Sequence, residues 1–143
     1  MELNQDPLAR LPHGIPFRFV DRVLELIPGE RIVTLKNVTT NDPAMQGHFP
    51  GNPILPGVLL LEAMAQTSGL LLPEGSSALL AQVRDARFRR PVVPGDQVRI
   101  EAVRLTGLGD LHRFEAKAFV DSQPVAEAEI VLAVSNAVGK DGA

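Results

Sequence analysis

"PGVLLLEAMAQTSGLLLP", residues 56–73, is the run on which the reading of the fold turns. Pro56 suits a helix start and Pro73 a helix stop. Between them lie mostly Leu, Ala, Met, Glu and Gln, which are good helix formers. Apolar side chains occupy nearly the whole circumference, so the pattern predicts a buried helix of about five turns rather than a surface one. With Glu62 and Gln66 inside it, the run is too short and too polar for a membrane span, which needs ~20 apolar residues.

The segments around this helix read as strands. Residues 19–26 and 31–38 flank a Pro28-Gly29 turn, and residues 78–90 form a third strand with untidy alternation. Residues 98–105 lose their in–out phase near Ala102-Val103, which predicts a bulge there. Residues 111–120 alternate cleanly, with Phe114, Ala116, Ala118 and Val120 on one face. Ala126, Ala128, Ile130, Leu132 and Val134 do the same. Asp6 and Pro7 fit the start of a short helical turn, residues 39–53 read as loop, and residues 136–143 as a frayed tail. The expected class is α+β. One antiparallel sheet serves one long helix, and either the sheet wraps around it or a second subunit covers the rest. Residues 1–143 form a single domain in this reading.

Composition removes several classes of function. A net charge of −3 gives no footprint for nucleic acid or an anionic membrane. The chain has no cysteine, which excludes disulfides, thiolate metal sites and cysteine nucleophiles. No metal-ligand spacing, nucleotide-binding glycine motif or nucleophile elbow occurs, so neither metal nor cofactor is expected. Residues 1–6 are polar and lack the apolar core of a signal peptide, so a cytoplasmic protein is expected.

Glu62 is the most informative residue. An ionised carboxylate among Leu59, Leu60, Leu61, Ala63 and Met64 is costly, and such surroundings favour the protonated form, which can act as an acid. Gln66 lies one turn on and can hold a carboxyl oxygen without adding charge. On helix pattern alone, Glu62 and Gln66 read equally as a polar stripe facing solvent. His48 stands between Gly47 and Phe49-Pro50-Gly51 on a stiff loop. It reads as a general base or as a hydrogen-bonded structural histidine. His13 reads as structural and His112 as exposed. Gly57 opens the helix, where unpaired amides can polarise a carbonyl, although helix initiation alone would also explain it. Together these residues offer a base, an acid and an oxyanion site in apolar surroundings. That set suits proton removal next to a carbonyl with loss of a β-hydroxyl.

"LPHGIPFRFVDRVLEL", "GHFPGNPILPGVLLLEAMAQTSG" and "ARFRRPVVPGDQVRI" resemble, in order, the conserved blocks of the FabZ-type (3R)-3-hydroxyacyl-[acyl-carrier-protein] dehydratases of type II fatty acid biosynthesis. The resemblance covers roughly residues 11–133. It implies a hot-dog fold, an antiparallel sheet curled around one long central helix. It implies a homodimer in which the helix Glu of one subunit completes the site built on the histidine of the other, commonly assembled as a homohexamer. By resemblance His48 and Glu62 are the catalytic pair, and Gln66 steadies the carboxylate. Gly57 with Val58 binds the thioester carbonyl, and the Ile54 carbonyl orients the histidine ring. The acyl chain would lie in an apolar tunnel at the dimer interface. The acidic carrier protein makes Arg87, Arg89 and Arg90 docking candidates, with an ordinary solvated strand face as the equal alternative. The chain departs from the family pattern at Leu79-Leu80, Gln82 and Arg84, near the tunnel mouth, which bears on gating and chain-length preference. A FabA-like isomerase would carry Asp at position 62. Hot-dog thioesterases generally lack the HFPG histidine, and an acyl-binding module needs no buried acid. A dehydratase of polyene or polyketide assembly shares the motifs and remains an alternative.

Overall fold

Alternation in the second half of the chain becomes a run of antiparallel hairpins. The computed structural model describes residues 7–11, 18–46 and 51–135. After a 3-10 turn at Pro7–Arg10, β1 (Arg22–Ile27) and β2 (Arg31–Asn37) pair across a turn in which Gly29 has φ 75°. A one-turn helix α1 (Pro43–Gln46) precedes α2 (Gly57–Gly69). Then come β3 (Ser77–Phe88), β4 (Gln97–Arg104), β5 (Leu111–Val120) and β6 (Gln123–Ser135). The strand order β1-β2-β4-β5-β6-β3 makes one antiparallel sheet of six strands. The β5–β6 link is a two-residue turn with positive φ at both Asp121 and Ser122, the twist that suits a tight hairpin.

Helix α2 touches five of the six strands, so the sheet curls around it in the hot-dog manner. Ala102, Ala116 and Ala128 stand in register across β4, β5 and β6 and are all buried. Three small side chains in line keep the concave face shallow at its centre, where the helix lies. Ile32, Ile100, Phe114 and Ile130 fill the space around it, and Leu60, Ala63 and Met64 face them from the helix. Two buried hydroxyls join helix to sheet: Thr34 and Thr67 are 2.8 Å apart, and Thr67 also donates to the Ala63 carbonyl. Removing one of the pair leaves a buried polar atom without its partner, at a cost of about 1–3 kcal/mol.

Two expectations need correction. The helix has 13 residues, not five turns, and is ~20 Å long. Thr67 and Ser68 bond back to the carbonyls of Ala63 and Met64. From Gly69 the chain tightens, with Leu70, Leu71 and Leu72 each bonded three residues back. The bulge expected at Ala102-Val103 is absent, because β4 pairs without interruption on both sides. Val103 simply faces outward, 41% exposed. The irregularities of β3 fall at Leu80/Gln82 and Arg84/Arg87 instead, the second around Asp85 with φ 53°, which explains its untidy alternation. Within one chain the sheet leaves part of the helix open: Val58 is 71% exposed, and Leu59, Leu61 and Glu62 are half-buried. His13, His48, the Asp6 cap and the 136–143 tail lie outside the described residues.

Candidate active site

Glu62 stands on the face of α2 that the sheet leaves partly open. Gln66, one turn further, is 2% exposed and donates from Nε2 to Glu62 Oε2 over 2.9 Å. Its Oε1 accepts the Phe19 backbone N–H, also at 2.9 Å. A backbone N–H can only donate, so this second bond fixes which way round the amide sits. Its NH₂ is thereby committed to the carboxyl group. Phe19 belongs to the segment leading into β1, so a residue 47 positions away in sequence sets the donor for Glu62.

Glu62 and Gln66 line a cavity of about 230 Å³ that runs along the helix towards Gly69, with Leu79, Leu80 and Leu132 on its apolar side. Glu62 is therefore at the rim of a pocket rather than sealed in the core.

The other end of α2 is open in a different sense. Pro56 occupies the N-cap, and among the described residues no side-chain hydrogen bond caps the first amides of the helix. Gly57 has a packing reason: a Cβ there would lie 3.0 Å from Phe88 Cε1. The approach to the helix is pinned by the Leu55 N–H, which donates to the Val92 carbonyl over 2.8 Å. Ile54 adjoins this anchor and is half-buried. Gly57 and Glu62 lie five residues apart, ~7.5 Å along the axis.

The three arginines differ. Arg89 pairs with Glu127 at 2.8 Å, Arg90 donates to the Val120 carbonyl at 3.3 Å, and Arg87 is exposed. Arg89 and Arg90 border a shallow cavity with Ile54, Gly57 and Phe88, which puts them beside the open helix start.

Lys36 and His112 are among the titratable groups whose pKa is shifted. Lys36 on β2 is 4% exposed, with its ammonium 5.0 Å from the centre of the Phe19 ring. Burial pushes its pKa down, against the opposing pull of Asp21 and Asp42. His112 is half-buried rather than exposed, and Arg104 donates to its Nδ1 over 2.5 Å. Burial and that guanidinium lower its pKa, against the pull of Asp110. Among the described residues, no three His, Cys, Asp or Glu side chains gather in a metal-binding group.

Comparison with known proteins decides the family. The FabA-like domain model matches residues 11–129. The chain is 48% identical over 132 residues to the 3-hydroxyacyl-[acyl-carrier-protein] dehydratase FabZ of Symbiobacterium thermophilum, covering 89% of this chain and 93% of that protein. It is 49% identical over 129 residues to the FabZ of Desulforamulus reducens, covering 87% and 91%. The chain belongs to the FabA-like family, in its FabZ branch. The backbone also matches the dehydratase heterocomplex ApeI:P from Xenorhabdus doucetiae, with a TM-score of 0.77 at 18% identity over 91% of each chain. That likeness speaks of the fold alone. Within this FabZ-branch chain, sequence reasoning named Glu62, Gln66, Gly57 and Ile54. It missed the Phe19 amide and the Arg10 and Leu132 side chains that reach the pocket. A backbone donor leaves no mark in a sequence, and the other two come from segments far from the helix.

Proposed function

We propose that this chain removes water from a (3R)-3-hydroxyacyl thioester carried on acyl carrier protein, giving a trans-2-enoyl thioester. Glu62 carries the reading: a carboxyl group held by an oriented neutral donor stands between an uncapped helix start and an apolar pocket. The thioester carbonyl meets the Gly57 and Val58 amides, where the helix dipole favours negative charge. His48, its ring oriented by the Ile54 carbonyl, takes the α-proton. Glu62 protonates the departing hydroxyl, and the acyl tail follows the pocket towards Gly69.

The working unit in this reading is a homodimer in which Glu62 of one chain serves His48 of the other, assembled further as a hexamer. Two surfaces support it. β3 is an edge strand of 12 residues whose Leu79 is 75% exposed and whose Leu80 and Phe88 are also uncovered. Val58 leaves an apolar helix face open beside it. A long apolar edge is a liability in a lone chain and a seam in a dimer. Arg87, Arg89 and Arg90 form the docking surface for the acidic carrier, beside the point where its thioester arm must enter. No helix among the described residues is long and apolar enough to cross a membrane. The cytoplasm, where a carrier-linked substrate is met, is the proposed location.

The test is mass spectrometry of a 3-hydroxyacyl carrier protein incubated with the full chain. The expected product has lost one water. Tight carrier binding without that loss would contradict the reading. Mixing inactive His48→Ala and Glu62→Gln chains after partial unfolding and refolding should restore activity if the site is shared between subunits, and no recovery would contradict sharing.

A further inference from the structure

The pocket beside Glu62 ends against a wall that has a second cavity behind it. The first cavity, about 230 Å³, extends from Glu62 past Gln66 to Gly69. The second, about 420 Å³, lies against Leu26, Pro28 and Gly29 at the β1–β2 turn. Arg10, Leu70 and Leu72 border both. Leu70 and Leu72 are buried core residues, and their amides bond to the carbonyls of Thr67 and Gly69. Arg10 is different. It is an exposed residue on the 3-10 turn, and its Nη2 donates to the Leu70 carbonyl over 3.3 Å. That carbonyl lies at the C-terminal end of α2, where backbone acceptors lack helical partners and a cation is favoured.

We infer that Arg10 is the chain-length stop of the acyl pocket. The inference rests on the dehydratase reading, which fixes the direction of the substrate. With the β-hydroxyl at Glu62, the rest of the acyl chain enters the cavity that opens beside this carboxyl group and follows α2 of the chain that supplies it. From Glu62 to Leu70 the helix and its last turn advance ~12 Å. At that distance the tail meets a guanidinium rather than apolar surface. A methyl terminus pressed against it would strip water from a charge and give it no partner in return, which is costly. Shorter tails end before the wall. Of the three wall residues, Arg10 alone lies outside the core, so its removal opens the wall on its side while Leu70 and Leu72 keep the packing.

The test compares kcat/KM of the full chain for trans-2-butenoyl, trans-2-decenoyl and trans-2-hexadecenoyl thioesters in the hydration direction. Arg10→Ala should raise the hexadecenoyl-to-butenoyl ratio at least about tenfold, the scale on which apolar pockets discriminate tails. Arg10→Lys, which keeps the charge, should keep the wild-type ratio. Should Arg10→Ala fail to fold, Arg10→Met carries the same expectation as the alanine variant. An unchanged ratio, or an equal loss on all three lengths, in an enzyme whose wild type is active would overturn the inference alone. A wild type inactive on every length would overturn the dehydratase reading, and the inference with it.

Discussion

The side-chain amide of Gln66 donates to Glu62 over 2.9 Å, and the Phe19 N–H on its other side leaves it only one orientation in which to do so. Glu62 therefore has a fixed neutral donor on Oε2.

Replacing Gln66 tests that arrangement. Gln66→Leu removes the donor to Glu62 and the acceptor for the Phe19 amide together. The expected loss of stability is about 1–3 kcal/mol, read from denaturant unfolding. Gln66→Glu keeps an acceptor for Phe19 but sets a second carboxylate against Glu62. It should lower kcat and, buried beside Glu62, cost at least as much stability at neutral pH as Gln66→Leu. If both variants retain kcat, the amide only fills space.

Gly57 and Phe88 form a second test. A methyl at position 57 would stand 3.0 Å from Phe88 Cε1, closer than ordinary contact. Gly57→Ala should therefore cost about 1–3 kcal/mol, the usual range of overpacking. Its effect on kcat/KM should exceed its effect on stability, because the substituent crowds the amides that receive the thioester. Phe88→Ala in the same chain should restore melting temperature and leave the kinetic defect. Recovery of both would mean that only packing was disturbed.

Lys36 gives a pH signature. Its folded pKa lies below the usual lysine value of 10.5, so the unfolded chain holds the proton more tightly. The penalty is fully present at neutral pH and is relieved as pH rises towards 10.5 through the folded pKa. Stability of the wild type should carry this upward contribution in the alkaline range. Lys36→Met should remove it and be neutral or about 1 kcal/mol more stable at pH 7, as buried charges replaced by apolar groups of similar size often are. Unfolding curves at several alkaline pH values check this. An identical pH slope in the two proteins would contradict it.

Much of this fold is written in short-range patterns. Phe114, Ala116, Ala118 and Val120 alternate in the sequence and face the helix together in the structure, because a strand repeats every two residues. Glu62 and Gln66 share a helix face for the same kind of reason. What the pattern concealed depends on distant partners. Ala102-Val103 read as a slip of phase because nothing local says that Val103 faces out. The end of α2 depends on hydroxyls that bond back to the helix, and Leu70–Leu72 look as helical as the residues before them. The place of β3 at the sheet edge beside β6, and of Arg10 at the foot of the helix, arise from chain crossings that no residue spacing encodes.

The central claim is that Glu62 supplies the proton, and Glu62→Gln tests it most directly, since the amide has nearly the shape of the acid but cannot supply that proton. Hydration of a trans-2-enoyl thioester by the full chain, followed as loss of enoyl absorbance, should fall by at least ~10²-fold in kcat. Melting temperature and oligomeric size should stay at their wild-type values. A Glu62→Gln enzyme with wild-type kcat would contradict the account.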